Sequence, residues 1–252
     1  MRTAIVSDIH ANLEALQAVL AHIEAEKVED IVCLGDIIGY GPQPLECLDV
    51  AIERFRWNLM GNHEEAVLYG AIAFNPKAKM AIDWTRDQLN LPSEPSDTRN
   101  LRWKFLGDLK VQVVENGRLF VHASPRDPVR EYIFPTDVLD VDKMKSIFRR
   151  VETVCFIGHT HIPGVIHEGG RFTPPREDRF EFPLAPLEEK LLVNVGSVGQ
   201  PRDGDYRASY AVLEDDRLTF FRVDYDVEKT IERIQAIDRL PGYLASRLRE
   251  GR

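Results

Sequence analysis

Eight residues of the kinds that bind divalent cations stand close behind five short apolar runs in this chain. AIVS leads into Asp8-Ile9-His10, IVCLG into Asp36, and WNLMG into Asn62-His63. RLFV leads into His122, and VCFIG into His159-Thr160-His161. Imidazole, carboxylate and amide oxygen together suit transition ions such as Mn, Fe, Zn or Ni. Taken singly, each residue is ordinary: a strand-end aspartate or asparagine is a turn residue, and a lone histidine is usually a satisfied polar group. Five of the seven histidines fall within these clusters, however, and that grouping points to a metal site. The other two, His22 on a predicted helix and His167 in a predicted loop, are expected to be solvated.

The apolar runs read as strands, and ligands in layered α/β folds gather beyond the carboxyl ends of strands. Residues two apart in extended chain face the same way, so Asp8 should point with His10, and His159 with His161. Gly35, Gly61 and Gly158 are expected to permit tight turns just before a ligand.

The rest of the chain supplies the frame. Strands are predicted at Ala4-Ile5-Val6, Ile31 to Leu34 and Trp57 to Met60. Asn12 is placed to cap a helix with the apolar face Leu13, Leu16, Leu20 and Ile23. A second helix is read near Leu45 to Glu53. From Glu64 to about Lys110 the pattern becomes helical, with helices at Glu64–Ala73 and Lys77–Leu89; we read this as an insertion in a single domain spanning 1–252. Strands return at Val111–Val114 and Leu119–Val121, joined by an Asn116-Gly117 hairpin turn. Loop and helix fill Arg126 to Arg150, and a further strand follows at Val154–Ile157. Gly164 to Glu189, rich in Pro, Gly and charge, should form a hairpin or surface loop. Strands at Leu191–Val195, Ser209–Leu213 and Leu218–Val223 precede a helix from Val227 to about Arg239 and a last short one. A strand-rich tail behind an alternating front favours two packed sheets with outer helices, an α/β (α+β) sandwich, over one open sheet.

The 252 residues are 44% hydrophobic, enough for one large core. A net charge of −9 without any basic stripe argues against nonspecific nucleic-acid binding. No apolar run approaches the ~18 residues of a membrane span, and strand-like sequence at the start leaves no room for a signal peptide. Cys33, Cys47 and Cys155 lack CxxC spacing, and two lie in apolar runs, which suits reduced thiols. A cytoplasmic location is the expectation.

The order Asp8-Ile9-His10, Gly35-Asp36, Gly61-Asn62-His63, His122, Gly158-His159-Thr160-His161 resembles the calcineurin-like metallophosphoesterases, whose pattern runs DxH, GD, GNH, a lone histidine, GHxH. Likeness to a bacterial and archaeal branch of small phosphodiesterases extends through Gly39-Tyr40-Gly41-Pro42, Ser124-Pro125-Arg126-Asp127 and Asn194 to Asp203. The chain departs in having Glu64 where aspartate is common and Ala123 where glycine is common; neither change removes a ligand. The resemblance implies a two-sheet β-sandwich flanked by helices, with two divalent cations. It places Asp8, His10 and His161 on the first ion, Asn62, His122 and His159 on the second, and Asp36 between them. His63, which follows a ligand without being one in the family, becomes the candidate general acid.

Two such ions can acidify a shared water and clamp the attacking and departing oxygens. The implied reaction is hydrolysis of a phosphate ester by a metal-bridging hydroxide. Two ligand carboxylates against four positive charges leave +2, which a hydroxide and a diester monoanion neutralise and a monoester dianion overshoots. Arg202 is a candidate for gripping phosphate oxygens, the ordinary alternative being an ion pair with a nearby carboxylate. The amino end of the helix at Asn12 should add a further bias towards anions. The helical insertion begins at the same rim and is expected to roof part of the cleft. The substrate expected is a small phosphate ester, with nucleotide-like esters among the options. Rival readings are a phosphomonoesterase, a dinucleoside polyphosphate hydrolase and a non-catalytic binding scaffold of the same fold.

Overall fold

The computed structural model describes residues 2–185 and 188–252; Pro186 and Leu187, near the end of the stretch expected to be a hairpin or loop, lie outside the described residues. Twelve strands and eight α-helices follow one another along the described chain. The front alternates: β1 (Arg2–Val6), α1 (Leu13–Ala25), β2 (Asp30–Cys33), α2 (Pro44–Arg54) and β3 (Trp57–Asn58). Three helices come next, α3 (Asn62–Tyr69), α4 (Pro76–Leu89) and α5 (Ser96–Asp108). A hairpin of β4 (Gln112–Glu115) and β5 (Arg118–Val121) leads to α6 (Val141–Phe148) and β6 (Val154–Ile157). β7 (Gly164–His167), β8 (Arg171–Thr173), β9 (Arg179–Pro183), β10 (Leu191–Asn194), β11 (Ala208–Glu214) and β12 (Arg217–Val223) make the strand-rich tail, closed by α7 (Val227–Gln235) and α8 (Tyr243–Arg249).

The strands form two six-stranded mixed sheets, ordered β3-β2-β1-β11-β12-β9 and β4-β5-β6-β10-β7-β8. Each contains one run of three parallel strands: β1, β2 and β3 in the first sheet, β5, β6 and β10 in the second. The alternation of side chains explains why these strands read as continuous apolar runs. In β1, Ala4 and Val6 face the outer layer, where α1 brings Leu16, Val19 and Ile23. Ile5 faces inward to Phe120, Phe156, Val193 and Phe220 between the sheets. Phe120 and Phe156 stack there with centroids 4.9 Å apart. Helix α6 covers the outer face of the second sheet with Met144, Ile147 and Phe148 over Cys155, Ile157 and Leu192. Burying each such Leu, Ile or Phe contributes about 1.5–3 kcal/mol. The two-sheet sandwich with outer helices is therefore the fold, as its sequence pattern predicts.

Three readings need correction. The helical stretch holds three helices, and the first begins at Asn62, so a candidate ligand is itself the first helical residue. Helix α5 lacks a plain apolar period because a charged residue sits on its buried face: Arg102, 4% exposed, bonds Asp49 at 2.6 Å and Glu94 at 2.7 Å. The stretch from Gly164 is only in part the hairpin or surface loop expected: β7 and β8 do form a hairpin, but the whole is not one surface loop. Its first four residues form β7, wholly buried beside β10, and its later part reaches the first sheet as β9 beside β12.

The two histidines expected in solvent are engaged. His167 is buried on β7, with Nδ1 2.7 Å from Glu189 Oε1 and Nε2 3.1 Å from Thr173 Oγ1. His22 is half-buried, with Nδ1 2.7 Å from the Tyr210 hydroxyl. All three cysteines are buried and unpaired. No helix among the described residues is long and apolar enough to cross a membrane.

Candidate metal centre

The carboxyl ends of the two parallel triplets meet at one end of the sandwich. Asp8 follows β1, Asp36 follows β2 and Asn62 follows β3; His122 follows β5, and His159 and His161 follow β6. All seven predicted ligands are buried together. Asp8, His10 and His161 form one compact group and Asp36, His122 and His159 another, each with ligand atoms within 4.8 Å of one another. Asn62 joins the second, its Oδ1 3.2 Å from His122 Nε2. Asp36 faces both: its Oδ2 lies 3.7 Å from His10 Nε2 and 3.4 Å from His122 Nε2.

The local geometry is not the extended chain expected. Asp8, His10, Asp36, His159 and His161 all have φ between +50° and +64°, in the left-handed region. Backbone bonds pin these loops to one another. Asp8 N–H donates to Gly35 O at 3.0 Å, His10 N–H to Asp36 O at 2.9 Å, and Gly199 N–H to Asp8 O at 2.9 Å. Glycine serves partly as expected. Gly35, at φ +113°, needs its conformational freedom. Gly61 and Gly158 instead allow close approach: a Cβ on Gly61 would collide with Asp36 Oδ1, and one on Gly158 with Ser7 Oγ and Asp8 Oδ2.

Each aspartate has one oxygen tethered and one directed inward. Asp8 Oδ2 accepts from His159 N–H at 2.9 Å, and Asp36 Oδ1 accepts from His63 N–H at 2.9 Å. Asp8 Oδ1 is buried with no hydrogen-bond donor and lies 3.1 Å from His161 Nε2. The imidazoles are held in the same manner. His10 Nδ1 meets Ile38 O at 3.2 Å, His122 Nδ1 meets Leu34 O at 3.2 Å, and His161 Nδ1 meets Gln200 O at 2.5 Å. His159 is turned round, with Nε2 3.1 Å from Arg130 O and Nδ1 inward.

A carbonyl oxygen only accepts, so each outward nitrogen carries the proton, and the inward nitrogen of a neutral ring is bare. Burial, together with neighbouring cationic groups, holds His10 and His161 below the usual histidine range, and His159 down at about 3. His10 Nε2 and His161 Nε2 thus present lone pairs to each other at 3.1 Å. About 3 Å is the spacing of two ligands at right angles, each about 2.1 Å from an ion. His122 differs: burial pushes it down, but Asp36 beside it outweighs this and raises it to about 9.

His63, 2% exposed, packs against Tyr40 at 4.3 Å, His10 at 4.8 Å and Phe74 at 5.3 Å between centroids. Its Nδ1 is buried without a partner among the described residues. Burial lowers its pKa to about 4. Arg202 lies with Cζ 5.9 Å from the Tyr40 ring centre, and its Nη2 donates to Gln200 Oε1 at 2.7 Å. Its Nε is buried without a partner, and Asp203, the nearest carboxylate in sequence, pairs instead with Arg222. The amino end of α1 does not open to the cleft. Asn12 caps Ala15 N–H at 3.1 Å and is enclosed by Gly199 and Thr230, while the first-turn anion is Glu14.

Some supporting residues escape sequence reasoning. Glu64 accepts three backbone N–H groups, from Asp36 at 2.8 Å, Gly61 at 2.9 Å and Ile38 at 3.1 Å, and so ties two ligand loops together. Burial and the nearby Asp36 charge raise its pKa to about 7. Its only sequence signal is its place after Asn62-His63. Asn194 donates at 2.7 Å to both Gly158 O and Thr160 Oγ1, on either side of His159. Tyr132 stacks on His159 with centroids 3.8 Å apart, and no motif announces it.

A two-sheet sandwich with histidine, aspartate and asparagine converging at the ends of its parallel strands defines a phosphoesterase fold with a metal-binding site. Residues 1–217 match the calcineurin-like phosphoesterase superfamily domain, and the chain belongs to that family. It is 38% identical to the uncharacterized protein MJ0912 of Methanocaldococcus jannaschii over 258 aligned residues, covering 99% of this chain and 98% of the relative. The crystal structure of a metallophosphoesterase from Sphaerobacter thermophilus superposes with a TM-score of 0.83 at 36% identity, covering 100% of this chain and 99% of that one. The hypothetical protein PH1004 of Pyrococcus horikoshii shares the fold, with a TM-score of 0.77 at 19% identity over 100% and 98% of the two chains.

Proposed function

We propose that this protein is a phosphodiesterase that works with two divalent cations. The observation that carries the reading is the pair of bare nitrogens on His10 and His161, 3.1 Å apart and facing the undonated Asp8 Oδ1. Buried lone pairs so placed repel one another unless a cation lies among them.

Asp8, His10 and His161 would hold one ion, Asn62, His122 and His159 the other, with Asp36 directed at both. Such a pair supplies an acidified water as nucleophile and screens the charge on the phosphate oxygens. The protein's own contribution is position. Carbonyls orient the four imidazoles, and N–H groups from His159 and His63 orient the two carboxylates. Arg202, which has no carboxylate partner among the described residues, is placed to bind a phosphate oxygen. His63 is the proton donor to the departing oxygen; it rests neutral in its buried pocket, and an anionic ester beside it favours its protonation. A diester monoanion suits the +2 left by four metal charges and two ligand carboxylates.

The test is hydrolysis of bis(p-nitrophenyl) phosphate against p-nitrophenyl phosphate at fixed Mn2+. Faster cleavage of the diester is expected. Preference for the monoester would overturn the diesterase assignment, and absence of cleavage of any ester by metal-loaded protein would overturn the enzyme reading.

A further inference from the structure

A cleft of about 300 Å³ opens beside Asn62 and His159 and runs away from them. That is the lower end of small-molecule sites, which span about 300–1,000 Å³. One wall is the loop between α3 and α4, carrying Phe74 and Asn75; the other is the segment after β5, carrying Arg130 and Tyr132; Tyr40 also lines the cleft. The aromatic walls are seated on the site's histidines. Tyr132 lies near-parallel to His159, and Phe74 stands edge-on to His63 at 85°. Tyr132 also stacks with Phe134, at 5.4 Å and 4° between planes. The lining is therefore aromatic and backed by other rings.

Rings select for rings: a flat π-face gains from aromatic side chains what an alkyl group does not. The rim adds polar groups. Asn75 Oδ1 is occupied as the cap of α4, accepting from Ala78 N–H at 3.0 Å, which leaves its amide hydrogens to point elsewhere. Arg130 Nε bonds Glu65 at 2.6 Å at the cleft's edge. Guanidinium, amide and carboxylate around an aromatic slot match the ring nitrogens and exocyclic groups of a base better than a plain phenyl group.

We propose that this cleft receives the nucleobase of the ester whose phosphate lies beside Asn62 and His159, with Tyr132 and Phe74 determining that specificity. The inference rests on the phosphoesterase reading for where the phosphate sits, but it is tested by binding. The full chain, with and without Mn2+, is titrated calorimetrically with adenosine 5′-monophosphate and with ribose 5-phosphate, so that the phosphate contribution cancels in the ratio. The adenine compound should bind about 5- to 150-fold tighter, the span of one base–aromatic contact. Tyr132→Ala and Phe74→Ala should each reduce the ratio, and Tyr132→Phe should retain it. A general disturbance of His159 would weaken both compounds equally and leave the ratio unchanged. Equal affinities in the wild type, no binding of either compound, or an unchanged ratio in both alanine variants would overturn the proposal. Hydrolysis of diesters without base preference defeats the cleft assignment alone; base preference without hydrolysis defeats the enzyme reading alone.

Discussion

Asn194 offers a sharp test of how the centre is built, because it carries no charge and is not among the proposed ligands. Its Nδ2 donates to Gly158 O and Thr160 Oγ1, each at 2.7 Å, and its Oδ1 accepts from Gly196 N–H at 2.9 Å. The side chain is 2% exposed. In Asn194→Ala, Gly196 N–H is left buried and unpaired and Gly158 O loses one of its two donors, keeping Thr160 N–H at 2.7 Å, while the Thr160 hydroxyl can rotate. One orphaned donor at about 1–3 kcal/mol and one lost bond to Gly158 O at about 0.5–1.5 kcal/mol give a loss of roughly 1.5–4.5 kcal/mol. At about 2–4 °C per kcal/mol for a chain of this size, Tm should fall by roughly 3–18 °C. The released residues flank His159 and precede His161, so Mn2+ affinity should fall too, by about 10- to 100-fold, as when partners of metal-binding histidines are removed. Differential scanning calorimetry gives the first quantity and Mn2+ titration at 20 °C, where the variant is folded, the second. Asn194→Asp keeps the acceptor for Gly196 but turns an acceptor on Gly158 O, so it should not rescue. A Tm within about 2 °C of wild type, with unchanged Mn2+ affinity, would refute the reasoning that this amide fixes the loop.

The metal-free chain should lose stability as pH falls. His63 at about 4, His159 at about 3, and His10 and His161, also lowered, stay neutral when folded, whereas unfolded histidines protonate below about 6.5. Their contribution is present above that pH and is lost between about 6.5 and 4; His122, raised to about 9, is constant over that window, and Glu64, raised to about 7, offsets part of the loss. A urea midpoint unchanged from pH 7 to pH 5 would contradict this. His63→Ala should keep its metal content but slow esters with poor leaving groups more than activated ones; equal slowing removes His63 as proton donor. Asp36→Asn should lose metal and activity together, measured by elemental analysis beside turnover. Gly158→Ala, whose Cβ would strike Ser7 Oγ and Asp8 Oδ2, should cost about 1–3 kcal/mol in chemical denaturation and weaken metal binding.

Strands whose two faces are both buried are plain in the sequence, since apolar runs such as Ala4–Val6 and Val154–Ile157 have no competing pattern. The ligands were legible for the same reason, standing directly after those runs. What was hidden is whatever depends on the far side of a contact. The reversed orientation of His159 is set by Arg130 O, a backbone atom that any residue would supply. Helix α5 was obscured because Arg102 is buried through two carboxylates distant in sequence. β7 was lost among the charged residues that follow it, because a four-residue strand carries little periodicity. His167 reads as polar, and its burial depends on Glu189, which lies 22 residues further along. Glu64 was visible as a type but not as a task, since three backbone donors from separate loops converge on it.

The centre is also strained by construction. Five of the seven proposed ligands sit in the left-handed region, which costs an L-residue about 1–2 kcal/mol each, roughly 5–10 kcal/mol in sum. That is comparable with the whole stability of an ordinary domain. Such geometry persists only where the surroundings over-determine it. Here they do so twice over, through the backbone bonds among the Asp8, Asp36 and Gly199 segments and through side chains such as Glu64, Asn194 and Ser197. Because these backbone and side-chain bonds fix the loops, a cation bound among them has little to order. Its interaction with the facing nitrogens and carboxylates is then expressed as affinity rather than consumed in assembling the site.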